Sequence, residues 1–516
     1  MRGERVIRRI HPLLLAAAPV VFLYAHNAQE VAPQIAVIAV AIAIAGAGVM
    51  LAVAHLALGP GPRAGLVASV GVALFFLYGR VFDLVWGLHL INTSRSVHFI
   101  VTLLAAGVLY RSVRWLGQTK RDLEAFASAL GAFGLMMLVF SSVDVVRAQL
   151  EAKPPRRPKV AAPRPPIITE ERSDLPDIYF IILDGYARND TLKKLYKLDN
   201  APFWAALRRH GFFVAENSRS NYMMTHLSLA ATLNLRYIND VIEASPLDSI
   251  SKKPAYELIQ TNEAAKFLQQ QGYRYVHFCT DYGGTETSQV ADTLIRYQPA
   301  LVQSEFTTVL IRTTALRAWE PSAAGMNLFE MEEVQEVPKI SGPTFAFVHF
   351  LLPHNPYIFD REGNVRSDVP MSLQFEEKTG GWSEKAQYVD QLLYLNRRVD
   401  EIVTTILRDS PKPPIIIIES DHGSASTYKS KKRWKDKFYP ERTGILNAWY
   451  APPEVLAKVT DNMHSVNTFR ILFSTLFGAD YPLLDRHIYA SWYGKPNAIH
   501  EITPKLDKLD GVVPAE

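Results

Sequence analysis

Three apolar runs of the sequence end in residues that can bind a metal or move a proton. IYFIIL is followed by Asp184, IIIIES by Asp421 and His422, and TFAFVHF leads into a segment that contains His354. Each residue taken singly is also a good turn former. Strands of this kind end at one edge of a parallel sheet, where an unpaired buried carboxylate would be costly. The two carboxylates and two histidines that follow these runs therefore predict a cation site.

A hydroxyl group in the segment SNYMMTHLSLAATL could complete this site. Thr225 stands just before an apolar stretch, where a Thr commonly begins a helix. Asn221, four residues earlier, is a candidate for substrate binding. Helix N-termini attract phosphate, and a hydroxyl beside a metal ion can lose its proton and attack phosphorus. The alternative is that Thr225 only caps the helix and packs its methyl group.

These residues lie on a predicted α/β scaffold, in which short β-branched or aromatic runs alternate with amphipathic segments. The predicted strands are residues 178–183, 212–215, 274–278, 344–350, 414–419 and 446–450, and the predicted helices include 200–210, 261–271 and 384–408. Runs such as IYFIIL and PPIIIIE are apolar on both faces, as buried parallel strands are. The pattern predicts a doubly wound α/β domain, which binds ligands at the carboxyl ends of its strands.

The N-terminal third is a predicted membrane domain, covering residues 1–150. Its apolar stretches are near the length of about 20 residues that a helix needs to cross a bilayer. They span residues 10–24, 35–58, 64–90, 97–116 and 125–146. The first is short enough for a signal peptide, but the four spans that follow favour a retained helix, and hence five crossings.

Charge predicts the orientation of these helices. Residues 1–150 carry 12 Lys or Arg and 6 Asp or Glu, which leaves 43 and 45 of the totals for the rest of the chain. Positive residues precede the first span and lie between the fourth and fifth, so both positions are expected in the cytoplasm. Everything after residue 150 is then outside it. The absence of a diffuse basic surface on that part gives no support for nucleic-acid binding.

Two basic segments could meet membrane lipid. Residues 151–173 form a predicted linker, proline-rich and basic, before a catalytic domain at 174–516. A second basic run at residues 429–437 includes Lys432 and Arg433 and could hold a phosphate headgroup. A solvated loop would explain the same composition.

In the third span, Arg80 and Asp83 are one turn apart, either as an ion pair or as a contact for a headgroup.

In chain order, these pieces resemble the alkaline phosphatase/sulfatase superfamily, and the membrane helices resemble its membrane-anchored branch of lipoteichoic acid synthases and phosphoethanolamine transferases. The resemblance implies that Thr225 is the nucleophile and that Asp184, Asp421 and His422 join it around a divalent metal, Zn²⁺ or Mn²⁺. It also implies that His354 binds substrate, binds a second metal or acts as a general acid. His464, in DNMHSVNTF, is a weaker candidate for the same region.

The sequence also departs from the family pattern. No C/S-x-P-x-R motif surrounds Thr225, which argues against sulfate-ester hydrolysis. The transferases usually have Glu where this chain has Asp184, a feature shared with phosphodiesterases. They also tend to have several disulfides, whereas Cys279 is the single cysteine here. The reaction class is therefore better defined than the substrate.

The resemblance implies an enzyme of the bacterial inner membrane with its catalytic domain outside the cytoplasm. We expect it to transfer a phospho-headgroup, of the phosphoethanolamine or phosphoglycerol type, from a membrane phospholipid to an envelope glycan or lipid through a phospho-threonine intermediate. A membrane-tethered phosphodiesterase or phosphatase with water as acceptor is the alternative in the same superfamily. A non-catalytic envelope scaffold is the alternative of another class.

Overall fold

A computed structural model describes most of the 516 residues, in two compact units. The described residues are 2–28, 31–88, 93–151, 175–243, 251–298, 304–319, 323–366, 382–427, 438–492 and 494–510. One unit comprises Met1–Pro154 together with Ser304–Glu320, and the other comprises the remainder. The predicted linker lies outside the described residues, except for residue 151.

The membrane unit contains five described helices that are long and apolar enough to cross a bilayer. They are α1 (Arg2–Asn27), α2 (Pro33–Leu58), α3 (Pro62–Trp86), α4 (Ser94–Gln118) and α5 (Glu124–Glu151). Many large apolar side chains on them are exposed, for example Leu56 and Phe99, as expected of surfaces that face lipid. The predicted count of five spans is confirmed.

The second unit is built on a mixed sheet of seven strands in the order β2-β7-β6-β1-β5-β3-β4. The bounds of these strands are β1 (Ile178–Leu183), β2 (Phe213–Val214), β3 (Arg274–Phe278), β4 (Thr293–Ile295), β5 (Thr344–Phe350), β6 (Ile415–Glu419) and β7 (Asn447–Tyr450). Strands β6, β1, β5, β3 and β4 are parallel, while β7 and β2 run antiparallel at one edge. A separate antiparallel hairpin consists of β8 (Tyr489–Trp492) and β9 (Lys495–Glu501).

Helices cover both faces of this sheet. They are α6 (Asn189–Thr191), α7 (Ala201–Arg209), α8 (Thr225–Leu233), α9 (Asn239–Glu243), α10 (Lys253–Gln260), α11 (Glu263–Gln270), α13 (Ala323–Glu333), α14 (Lys385–Asp409), α15 (Phe438–Thr443), α16 (Pro453–Leu456), α17 (Thr468–Leu476) and α18 (Thr503–Asp510). Helix α12 (Glu305–Thr313) belongs to the membrane unit.

Strand β1 shows how the two apolar faces arise from one buried run. Tyr179 and Ile181 pack into one core cluster, while Phe180 and Ile182 pack into the other. Successive side chains of a strand point to opposite faces, so a strand buried on both must be apolar throughout. The predicted α/β fold is confirmed. The edge strands β2 and β7 fall within the predicted strands 212–215 and 446–450, but their antiparallel direction was not predicted. Strand β4 and the β8–β9 hairpin were not predicted at all.

Candidate metal and phosphoryl-transfer site

Neighbouring strands bring the two predicted acidic segments together. Strand β1 lies between β5 and β6 and is parallel to both, so the residues after these strands meet at one edge of the sheet. The backbone N–H of Asp184 donates to Phe350 O at 3.0 Å, and that of His354 donates to Asp184 O at 3.0 Å. The N–H of Gly185 donates to Asp421 Oδ1 at 3.0 Å. Asp184, His354 and Asp421 are thus connected at the sheet edge.

Two glycines allow these turns to pack closely. Gly185 has a φ of +71°, and a Cβ there would lie 2.6 Å from Trp382. A Cβ on Gly423 would lie 2.1 Å from Glu441 O. Glu441 in turn accepts hydrogen bonds from the loop after Gly423, including the Ser424 hydroxyl at 2.8 Å. Only glycine fits both positions without a shift in its surroundings.

Thr225 begins helix α8, as predicted, and its hydroxyl points at the sheet edge. Met224 before it is extended, with φ −121° and ψ 136°. Thr225 Oγ1 lies 3.1 Å from His422 Nε2. The other ring nitrogen of His422, Nδ1, lies 3.0 Å from Gly423 O, which makes Nδ1 the protonated nitrogen and leaves Nε2 as the acceptor that faces both Thr225 Oγ1 and Arg442 Nη2. Thr225 and His354 are partly exposed to solvent.

Two groups of side chains at this edge could hold a metal ion, and they share Asp184. Ligand atoms of Asp184, His354 and His422 lie within 4.8 Å of one another, as do those of Asp184, His349 and Asp421. Asp184 Oδ1, Asp421 Oδ2 and His349 Nε2 are buried and have no hydrogen-bond partner among the residues that the structure describes. Buried acceptors without a donor are costly. The residues therefore fit a divalent cation.

The charges of the site also favour a cation. Burial and the adjacent Asp184 carboxylate raise the pKa of Asp421. Burial alone would raise the pKa of Asp184 too, but the surrounding histidines, His354 first, outweigh it and lower that pKa. Burial and the positive charge of Arg442 hold the pKa of His422 well below its usual value. A neutral imidazole between two crowded carboxylates is a donor set that Zn²⁺ or Mn²⁺ can bind.

His349 is a site residue that the sequence analysis missed. It lies within β5, is fully buried, and its Nε2 is 3.5 Å from Asp184 Oδ2. Its Nδ1 lies 3.0 Å from the Thr285 hydroxyl, which orients the ring. A histidine inside an otherwise apolar run, five residues before His354, was the available signal.

Arg442 and Trp382 were also missed, and no local pattern marks them. The buried Arg442 guanidinium donates from Nη2 to His422 Nε2 at 2.8 Å and from Nη1 to Gly423 O at 3.0 Å. Trp382 lies 5.6 Å from that guanidinium and 4.9 Å, edge on, from the His354 ring. The two side chains place a fixed positive charge and an aromatic wall beside the predicted ligands. Only the tertiary fold brings them there.

Two predicted substrate-binding residues, Asn221 and His464, lie in a buried hydrogen-bond network. Asn221 Nδ2 is 3.1 Å from His464 Nδ1, and Asn221 Oδ1 accepts from the Val466 N–H at 2.9 Å. His464 Nε2 lies 3.2 Å from Asn467 Nδ2. Burial first, and then the charge of Arg486, lowers the pKa of His464 to about 4. The network brings Asn221 and His464 together, but their described hydrogen bonds do not reach the metal-binding groups. Lys432 and Arg433 lie outside the described residues.

Comparison with known proteins gave structural neighbours only. No protein-family model matches the sequence, and no curated protein does. The C-terminal periplasmic domain of EcEptC from Escherichia coli, solved in complex with Zn, aligns with 65% of this chain and 96% of its own, at 16% identity and a TM-score of 0.43.

Two further neighbours have similar scores. The soluble domain of lipooligosaccharide phosphoethanolamine transferase A from Neisseria meningitidis aligns with 61% of this chain and 92% of its own, at 13% identity and a TM-score of 0.40. A putative sulfatase from Bacteroides thetaiotaomicron aligns with 61% of this chain and 78% of its own, at 14% identity and 0.39. A phosphoethanolamine transferase and a putative sulfatase are thus both among the structural neighbours.

Proposed function

We propose that this protein is a metal-dependent phosphotransferase that uses a membrane phospholipid as donor. The observation that carries the proposal is the convergence of Thr225 with Asp184, Asp421 and His422, which come from three separate parts of the chain. A hydroxyl that only capped a helix would not need two buried carboxylates and an imidazole lone pair around it. A non-catalytic scaffold would have no physical need for them either.

In the proposed first step, Thr225 Oγ attacks the phosphorus of the lipid phosphodiester. The Oγ–P bond forms, the bond from phosphorus to the glyceride oxygen breaks, and diacylglycerol leaves after taking up a proton. His354 is placed to donate that proton, because its Nδ1 is bound to Asn355 O at 2.7 Å and its ring is partly exposed. The Thr225 proton passes to solvent or to a basic group of the site.

In the second step, an acceptor hydroxyl attacks the phospho-threonine, the Oγ–P bond breaks, and Thr225 is regenerated. The acceptor is a glycan or lipid of the envelope. A divalent ion held by Asp184, Asp421 and His422 would polarise the phosphoryl oxygen and favour the alkoxide form of the hydroxyl. Arg442 adds a fixed positive charge beside His422, where negative charge develops on the phosphoryl group.

Product analysis tests this proposal. The full-length protein is incubated in vesicles with head-labelled phosphatidylethanolamine or phosphatidylglycerol, and diacylglycerol and labelled products are quantified. We expect Thr225→Ala to lower the rate by about three orders of magnitude or more, since the nucleophile is lost. Thr460→Ala, which removes an exposed hydroxyl, is the control and should retain the wild-type rate.

Three outcomes would change the assignment. Wild-type transfer by Thr225→Ala would exclude the threonine as nucleophile. Free phosphorylated headgroup without any modified acceptor would identify a phosphodiesterase, with water in the second step. If the purified protein contained no metal and added Zn²⁺ or Mn²⁺ restored no activity, the scaffold alternative would stand instead.

A further inference from the structure

Residues 304–319 form a segment that leaves the α/β unit and joins the membrane unit. Ser304–Glu320 groups with the N-terminal helices, although the chain on either side of it, up to Gln298 and from Ala323, belongs to the α/β unit. The segment consists of helix α12 and the 3-10 turn Ala315–Trp319. The sequence analysis had placed it within the catalytic domain.

The first half of the segment packs on apolar residues of the membrane helices. Phe306 is buried in a cluster with Val20 and Tyr24 of α1 and Ala36 of α2. Its ring meets the Tyr24 ring edge to face, with centroids 6.5 Å apart. Leu310, one turn further along α12, packs against the same cluster. This half therefore has an apolar binding face of its own.

The second half is held by a buried ion pair. Arg317 Nη1 lies 2.8 Å from Asp83 Oδ1 of α3, and the two side chains are only 3% and 14% exposed. The same guanidinium lies 4.1 Å from the centroid of the Phe82 ring. The sequence analysis considered Arg80 as the partner of Asp83, but the structure pairs Asp83 with Arg317, and Arg80 is exposed. Removal of one partner would leave the other charge buried and uncompensated, which is strongly destabilising.

A glycine on α3 allows close approach of the backbone between the two halves. A Cβ on Gly79 would lie 2.1 Å from Arg312 O and 2.7 Å from Thr313 Cα. No other residue fits there unless the segment shifts. The carbonyl of Gly79 also accepts from Arg317 Nη1 at 3.3 Å. The contact with α3 thus depends on both shape and charge.

All these contacts lie at one end of the helical bundle. Tyr24 is near the C-terminal end of α1, Ala36 is near the N-terminal end of α2, and Asp83 is near the C-terminal end of α3. Because the positive flanks predict a cytoplasmic N-terminus, this is the outer end. At the same end, Leu316 and Trp319 of the segment are 44% and 78% exposed. Trp is enriched at the lipid–water interface, where its ring is apolar and its N–H is wet.

We propose that residues 304–319 are a second membrane anchor, held by the Arg317–Asp83 ion pair, that binds the outer lipid–water interface and makes the α/β unit act on lipid-borne substrates. The part of this inference that concerns substrates rests on the proposed function. The segment is joined to Gln298 and Ala323 by only six and four residue steps. A trans chain extends at most about 3.6 Å per residue, so an anchored segment restricts how far those two residues can move from the bilayer.

Paired charge variants test the anchor in the full-length protein, reconstituted in vesicles of phosphatidylethanolamine and phosphatidylglycerol. The single variants are Asp83→Arg and Arg317→Asp, and the double variant carries both changes. Arg80→Ala is the matched control, since Arg80 is exposed one turn away on α3. Hydrogen exchange is measured for Glu305–Thr313, and turnover is measured with the lipid donor and with the water-soluble diester bis(p-nitrophenyl) phosphate.

We expect each single variant to raise the exchange rate of the segment and to lower turnover of the lipid by about tenfold or more, because two buried like charges facing each other disfavour docking. Turnover of the soluble diester should stay within about twofold of wild type, and the double variant should regain most of the lipid turnover. Phe306→Ala, which removes an uncharged contact, should show the same preference for the soluble diester.

The inference would be overturned if both single variants kept wild-type exchange and wild-type lipid turnover. Equal loss of lipid and soluble turnover in the single variants and in Phe306→Ala would also overturn it, since the segment would then support folding generally. If the wild-type protein acted on neither substrate, the proposed function would fail by itself. The exchange measurement would still decide whether the ion pair anchors the segment.

Discussion

At the residue scale, Asp184 is the point where both groups of possible metal ligands overlap. One group reaches it through His354 and His422, and the other through His349 and Asp421. Asp184 and Asp421 lie on adjacent strand ends, so each raises the cost of charge on the other unless a cation lies between them. The two carboxylates therefore need a bound cation to offset their charge.

His349 provides a test of this arrangement that does not depend on activity. We expect His349→Gln to weaken binding of Zn²⁺ by about 10- to 100-fold, as loss of a ligand or of a residue that orients one commonly does. Isothermal titration of the metal-stripped protein measures the affinity. His210→Gln is the control, because the His210 ring is not one of the predicted ligands and pairs instead with Asp400, at 2.9 Å. Unchanged affinity in His349→Gln would remove His349 from the metal site.

The buried carboxyl group of Glu330 should make the stability of the folded protein depend on pH. Both of its carboxylate oxygens are buried, with no hydrogen-bond partner in the described part of the chain, and burial, followed by the charge of Asp281, raises its pKa well above 4.5. The native state therefore holds this proton more tightly than the unfolded state, and wild-type stability falls as pH rises above about 4.5. Glu330→Gln should thus gain thermal stability relative to wild type between pH 5 and pH 8.

Thermal melts at several pH values measure this difference for Glu330→Gln and for Glu336→Gln, an exposed control that pairs with Lys339. The control should show little change with pH. A stability difference for Glu330→Gln that stayed constant or shrank with rising pH would show that Glu330 is ionised and paired in the folded protein.

Four of the site residues that sequence analysis identified come shortly after the end of a strand. Asp184, His354, Asp421 and His422 could be assigned to one edge because parallel strands end together. Arg442 reaches the same place on helix α15 and Trp382 on the segment that precedes α14, and no local pattern encodes either route. His464 had a plausible sequence context, but its ring is bound to Asn221 and Asn467 instead.

At the element scale, the turn after β6 is held by close backbone packing. Gly423 approaches Glu441 O and Gly444 O so closely that a Cβ would lie 2.1 and 2.6 Å from them. We expect Gly423→Ala to destabilise the α/β unit by about 1–3 kcal/mol, the usual cost of overpacking, and to lower its melting temperature. Gly494→Ala is the control, because a Cβ there meets nothing within 4 Å. Equal melting temperatures for the two variants would contradict the close packing of this turn.

Strand bounds were predicted well where the signal was a continuous buried run. Strands β1, β3 and β5 begin and end at the predicted residues, because an apolar run bounded by turn residues has only one way to pair in a doubly covered sheet. Strand β4, with only Thr293–Ile295, is too short to stand out from a loop. The antiparallel direction of β2 and β7 depends on chain path rather than on composition.

At the scale of the whole molecule, the predicted orientation has a direct test. Cys279 is buried, and burial raises its thiol pKa to about 12, so it should not react with a maleimide in the folded protein. Single cysteines are then introduced as Lys193→Cys in the α/β unit and Arg111→Cys in the C-terminal half of α4, both at exposed positions. A membrane-impermeant maleimide should label the first variant in intact spheroplasts and the second only after permeabilisation. The reverse pattern would invert the topology.

Composition predicts a membrane domain and a catalytic domain, but it does not distinguish residues 304–319 from the α/β sequence around them. Five long apolar stretches are unmistakable, whereas a short amphipathic helix inside an α/β sequence looks like any other surface helix. The contact of this helix segment with the membrane helix α3 is shown by the ion pair between Arg317 and Asp83. A tertiary ion pair between residues so distant in sequence leaves no local pattern.

The covalent state of Thr225 during turnover tests the central claim most directly. The full-length protein is incubated with phospholipid in vesicles, quenched in acid and digested, and the peptide that contains Thr225 is weighed by mass spectrometry. We predict an added mass equal to the phospho-headgroup of the donor, located on Thr225 and absent when the donor is omitted. Transfer of headgroup at the wild-type rate with Thr225 unmodified at every quench time would contradict the account.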